Sequence, residues 1–240
     1  MFSAINLIRW SLRAYYNNKW VFISLTAIPL ALGFLFAFIA NLLFSLSPLE
    51  PNSAEFITAS SFSTFFFFII TIIINAWTSV SLLFVIRERG RIVKIREALA
   101  WGWQKMFSYL WISILTGFII VFGFILLIIP GIIFAVWYSF STYILVAEDR
   151  KGLDALKRSK EVVRGFWWKV LWRYIVLGLF IFAITLPIGM LTSMGMLLES
   201  IFIQDIANGL NILMGLFTTP LSLIYGYLIF DNLCKIKQTS

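Results

Sequence analysis

Five stretches of the chain carry no charged side chain: Trp20–Leu49, Phe56–Ile86, Met106–Ala147, Tyr174–Leu198 and Ile206–Phe230. Each is long enough to supply the about 20 apolar residues with which a helix crosses ~30 Å of hydrocarbon. Charged residues make up 12% of the sequence, about half the share found in soluble domains. So little charge cannot cover a water-facing surface, so the chain is expected to be a polytopic membrane protein. A transmembrane β-barrel is excluded because its strands alternate apolar and polar residues, whereas FFFFIITIII (Phe65–Ile74) is apolar on every face. The start, MFSAINLIRWSLRAYY, lacks the short apolar core and small-residue cleavage site of a secretory signal. It is expected to remain part of the protein.

The basic residues set the topology. All 19 lysines and arginines fall in four places: before the first run (Arg9, Arg13, Lys19), after the second (Arg87 to Lys105), after the third (Arg150 to Arg173) and at the C-terminus (Lys235, Lys237). The other two connections carry only Glu50, Glu55, Glu199 and Asp205. Cytoplasmic loops collect Lys and Arg, so both termini and both basic loops are expected inside. The net charge of +8 then serves orientation and contact with anionic lipid, and no nucleic-acid partner is implied. The run Met106–Ala147 begins and ends on the same side and must cross an even number of times. Its 42 residues would make one helix of about 63 Å, twice the hydrocarbon thickness. Two crossings fit, with Pro130 and Gly131 expected as the turn between them.

The expected fold is therefore all-α, a bundle of six transmembrane helices arranged as three hairpins within one membrane domain, 1–240. The spans are placed at 20–44, 62–86, 106–129, 131–149, 170–198 and 206–230. An amphipathic, interfacial segment is expected before each hairpin, at 1–18, 87–105 and 150–168. In the first, Phe2, Ile5, Ile8, Leu12 and Tyr15 oppose Asn6, Arg9 and Arg13; in the second, Ile92, Ile95 and Leu99 oppose Arg91 and Lys94. In the third, Leu153, Leu156 and Val163 oppose Lys157, Lys160 and Arg164. Such helices lie in the headgroup plane with the apolar face down. Similar junctions follow, NNKW, WQKM and WWKV, with Lys19, Lys105 and Lys169 in corresponding places.

Chemistry is sparse. There is no histidine and Cys234 is the only cysteine, so an intrachain disulfide, a Cys/His zinc site and Cys–His catalysis are excluded. No metal or cofactor is expected. Ionisable groups at mid-depth usually mark transport or proton pathways, and none occurs there; Arg173 follows Lys169 by four residues and can snorkel to the interface. Glu148 and Asp149 adjoin at a helix end. The neutral polar residues Asn75, Tyr138, Ser141, Asn208 and Asn211 are candidates to line a cavity. Lys157, Lys160 and Arg164, with Trp167 and Trp168 setting depth, are candidates to bind anionic headgroups. Pro29, Pro187 and Pro220 should each remove a helical hydrogen bond from the first, fifth and sixth spans.

Pro130, Gly131, Ile132, Tyr138, Ser139, Ala155, Leu156, Ser159, Gly165 and Trp167 form a pattern within Ile128–Val170. This stretch resembles the membrane domain attached to some bacterial glycerophosphodiester phosphodiesterases and the related YciC-like integral membrane proteins. The resemblance implies a six-helix bundle in a prokaryotic cytoplasmic membrane and a link to membrane lipids. It implies no activity, because catalysis in the two-domain relatives resides in a separate soluble barrel that uses histidines. The expected function is non-enzymatic: binding lipid, or organising or assisting lipid or envelope processes, with phospholipids and another membrane or cytoplasmic protein as partners. The alternative is a membrane subunit or permease of a transport system, and a lipid-modifying enzyme ranks below both.

The topology is open to test. In a Cys234→Ser background, Ser53→Cys is expected to react with a membrane-impermeant maleimide added outside intact cells. Labelling only after the cytoplasmic face is exposed would invert the assignment.

Overall fold

Runs of Leu, Ile, Phe and Val broken only by Gly, Pro, Ser and Thr have no water-exposed stripe, and helices are the only structures that satisfy their own backbone in hydrocarbon. A computed structural model describes residues 3–46, 53–88, 91 and 93–239. Phe2, Leu49, Glu50 and Ile92, named above, lie outside the described residues. The described elements are α1 (Ala4–Asn17), α2 (Lys19–Ser45), α3 (Ala54–Arg87), α4 (Ile95–Leu126), α5 (Ile128–Tyr138), α6 (Ser141–Glu148), α7 (Gly152–Val163), α8 (Trp167–Leu197) and α9 (Ile201–Thr239). Among them, six helical stretches are long and apolar enough to cross a membrane: α2, α3, α4, α5 with α6, α8 and α9. The chain is a multi-pass membrane protein.

The reversal inside 106–147 lies three residues earlier than expected. Leu127 is the break, extended at φ −167° and ψ 154°, and its N–H donates to the Gly123 carbonyl at 3.1 Å. Pro130 is the third residue of α5, in the first turn, where a backbone N–H would have no helical acceptor. Proline thus starts the helix instead of making the turn. Gly131 is buried against α4, where a Cβ would sit 2.5 Å from the Phe124 ring. The expectation that Pro130 and Gly131 form the turn is corrected: both belong to α5, and Leu126, Leu127, Ile128 and Ile129 around the break are exposed.

The three junctions also differ. Asn18 separates α1 from α2, and Gly165 at φ +87°, a backbone that favours glycine, separates α7 from α8. At the second junction there is no break, because α4 runs through Trp103 and Lys105 from Ile95 to Leu126. No residue there forbids a helix, and the α4 face at Ala98, Gly102 and Met106 is buried. Gly102 approaches α3 so closely that a Cβ would lie 2.1 Å from Ser81 Oγ. Nearby, Trp77 Nε1 donates to the Leu99 carbonyl at 2.8 Å.

Burial is concentrated at the basic end. In α3 the buried residues run from Ala76 to Ile86, and in α2 they are Phe22, Leu25 and Thr26. The opposite halves of α2, α3, α4 and α8 expose Phe38, Phe66, Phe118 and Phe182. Hydrocarbon tails solvate such side chains as well as a neighbouring helix does, so nothing forces them together. At the basic end, by contrast, α1 and α7 close the bundle with protein. The apolar face of α7, Ala155, Leu156, Val162 and Val163, is buried against α4, α5, α6 and α9, not turned down into lipid as a headgroup-plane helix would be. In α1 the buried residues are Leu7 and Ser11, with Ile5 exposed. Tyr15 stacks on Phe22 at 5.8 Å and meets Phe217 edge-on at 5.3 Å.

Ser159 holds α7 in place. It accepts from the Phe140 N–H at 3.1 Å and donates to the Trp137 carbonyl at 2.7 Å, pairing two backbone groups at the interruption between α5 and α6. Ser159→Ala strands both in a dry environment, at a cost of about 1–3 kcal/mol per unpaired group. The expected result is a clear fall in melting temperature in detergent. An unchanged melting temperature would show that this clamp does not support the fold.

Candidate functional site

The candidate headgroup residues are brought to one side of the basic end. Lys157 and Lys160 are exposed on α7, and Arg164, also exposed, directly follows its last residue. Lys160 Nζ sits 4.2 Å from the centroid of the Trp137 ring, an attraction worth about 0.5–1 kcal/mol where exposed. Trp137 is also a wall of a groove of about 600 Å³ that runs between α5 and α8 and includes Ile132, Ile133, Trp167, Trp168 and Leu171. Trp167 and Trp168 meet edge to face at 4.7 Å. The groove is thus an apolar slot with a cation poised over one of its aromatic walls.

A second depression of about 850 Å³ lies on the other side of Trp168, lined by Ser3, Ile5, Lys169, Trp172 and Arg173. Arg173 reaches back towards the basic end as a snorkelling side chain should, donating from Nη1 to the Lys169 carbonyl at 2.8 Å. The residue as a whole is buried at 8% exposure, and Tyr225 donates its hydroxyl to the Arg173 carbonyl at 3.0 Å. Lys169 and Arg173 were absent from the candidates drawn from sequence. Their i, i+4 spacing beside Trp168 and Trp172 was the available signal.

The five cavity candidates separate. Asn75 and Asn211, both exposed residues, line a common open cavity of about 430 Å³ between α2, α3 and α9. Asn208 is exposed on α9 and does not line it. Tyr138 and Ser141 belong to the interruption between α5 and α6, where Ser141 is buried and donates to the Tyr138 carbonyl at 2.9 Å. They sit at a backbone break and do not line this cavity. Pro130 and Gly131 are packed into the start of α5, as described above.

Glu148 and Asp149 are engaged by cations. Glu148 accepts from Arg158 Nε at 3.1 Å and pairs with Arg150 at 3.2 Å, and this bond raises the Arg158 guanidinium above its ordinary value. Asp149 closes α6 in the left-handed conformation at φ 54° and pairs with Lys105 of α4. Among the described residues no three His, Cys, Asp or Glu side chains gather as metal ligands would. Comparison with protein families, curated proteins and solved structures finds no match for this chain.

The bond donated by Lys105 is the first cause holding the Asp149 carboxyl below its ordinary value. A lowered folded value means that the stabilisation is full above the unfolded carboxylate value, ~3.9, and disappears as pH falls through the folded one. Asp149→Asn is therefore expected to lower stability equally at about pH 6 and about pH 8, by about 0.2–1 kcal/mol for so exposed a pair. The difference from wild type should shrink below about pH 4. A difference independent of pH in thermal unfolding would remove this ion pair from the account.

Proposed function

We propose that the protein is a non-enzymatic, multi-pass component of a prokaryotic cytoplasmic membrane that holds anionic phospholipid at its basic end, with both termini on the cytoplasmic side. Its spans form three hairpins, and its relation is to the lipid-linked membrane domains of the resembling family. The observation that carries the reading is Lys160 standing over Trp137 at the wall of the α5–α8 groove. Lys157 is exposed on α7 and Arg164 directly follows its last residue, so three positive charges lie on the segment whose Lys160 meets the wall of an apolar slot sized for part of an acyl chain. A phospholipid offers both halves of that pattern: a phosphate for the cations and a chain for Ile132, Ile133 and Leu171, with Trp167 and Trp168 at headgroup depth.

Each cation near an anionic surface contributes about 1 kcal/mol. Replacing Lys157, Lys160 and Arg164 together with glutamine should weaken retention of phosphatidylglycerol over phosphatidylcholine by about two orders of magnitude. Native mass spectrometry of lipid adducts in mixed micelles reads this directly, and the melting temperature should stay near that of wild type. Unchanged phosphatidylglycerol retention by a folded triple variant would sink the proposal.

A further inference from the structure

The cavity between α2, α3 and α9 is polar without being charged. Thr26, Asn75, Thr78, Asn211 and Thr219 converge on it, beside Pro29, and no ionisable side chain lines it. At 1.5 Å per residue, Pro29 lies about 15 Å from Lys19 and Asn75 about 18 Å from Arg87, near the middle of a ~30 Å hydrocarbon core. Polar groups at that depth need partners, since lipid tails supply none.

The lining keeps unused acceptors and unused donors side by side, the donors being Asn211, Thr219 and one N–H of Asn75. Thr26 donates its hydroxyl proton to the Phe22 carbonyl at 2.7 Å and Thr78 to the Ile74 carbonyl at 2.9 Å, so both oxygens keep only lone pairs for the cavity. Asn75 Nδ2 donates to the Thr71 carbonyl at 2.8 Å, leaving the amide oxygen and one N–H. Asn211 has no side-chain partner among the described residues. Pro29 and Pro220 carry no N–H, so the Leu25 and Leu216 carbonyls lose their helical donors in the same turns. A guest that both donates and accepts, as a hydroxyl does, completes this set. An ammonium or phosphate would bring a charge with no counter-charge at mid-depth, which is expensive.

An apolar slot continues from the cavity along α2 and α3. It shares Pro29 and Thr71 with the cavity and adds Leu32, Phe36, Phe67 and Ile70. A guest with a polar head and an acyl chain therefore fits better than a free polyol. We propose that this cavity binds the free hydroxyl of an uncharged lipid of the diacylglycerol type. This site is independent of the anionic-lipid groove at α5 and α8, and each can fail alone.

The test uses the full chain in phosphatidylcholine nanodiscs with a diazirine-bearing diacylglycerol, cross-linked peptides being mapped by mass spectrometry. Labelling should fall on α2, α3 and α9. Acetylating the probe's hydroxyl should cut this labelling at least ten-fold, and so should Asn75→Leu combined with Asn211→Leu. Free glycerol at millimolar concentration should not compete, and phosphatidylglycerol retention by the double variant should match wild type. Equal labelling by the acetylated probe overturns the proposal without reference to any variant. Labelling by a diazirine-bearing phosphatidylglycerol as strong as that by diacylglycerol overturns the requirement for a neutral head. Competition by free glycerol overturns the lipid assignment in favour of a soluble polyol.

Discussion

Ser159 is the point on which the basic end depends. One hydroxyl, shared between the Trp137 carbonyl and the Phe140 N–H, lets the fourth span be interrupted without leaving its backbone unpaired in a dry region. The same contact anchors α7 across that interruption. With α7 fixed, Val162 and Val163 are buried and Arg158 reaches Glu148. On the outward face, Lys160 is delivered to Trp137. The candidate lipid groove follows from one side-chain-to-backbone clamp.

The uneven packing has a related cause. Within lipid, helices gain little from hiding apolar side chains from hydrocarbon, so the halves remote from the basic end stay loosely associated and leave slots between them. Near the headgroups, polar links become available. Arg87 Nη1 donates to the Val146 carbonyl at 3.0 Å while its guanidinium lies over Trp101, which stacks on Phe84 at 4.9 Å. Lys237 donates to the Glu161 carbonyl and draws the end of α9 to α7. These ties join α3, α4, α6, α7 and α9 where water and lipid meet. The protein resembles a soluble core at one end and helices paired mainly with their neighbours in the chain at the other.

Legibility from sequence followed physical determinacy. The six spans were readable because hydrocarbon thickness demands a length, which five uncharged runs supply, the longest of them twice over. The reversal was misplaced from Leu127 to Pro130 because proline serves equally well in a turn and in the first turn of a helix. The second amphipathic segment was read as separate from the span, yet α4 is continuous from Ile95, since no residue between them resists helix. The third was read with its apolar face in lipid, and that face is covered by protein. Periodicity reports that a face is apolar and is silent on what covers it.

The candidate sites divided on the same line. Asn75 and Asn211 were legible as polar residues in apolar spans, and so were Tyr138 and Ser141. Which of them share a space depends on how three helices lean together, a property of pairwise packing that no single helix records. Composition and the placement of charge determined a multi-pass helical membrane protein, because the bilayer imposes length, saturation of backbone hydrogen bonds and exclusion of charge on any sequence. Tertiary structure alone decided that Ser159 bridges a broken span, that Lys160 meets Trp137 and that two asparagines 136 positions apart face one cavity. These depend on side-chain contacts between distant segments, which local sequence pattern does not encode.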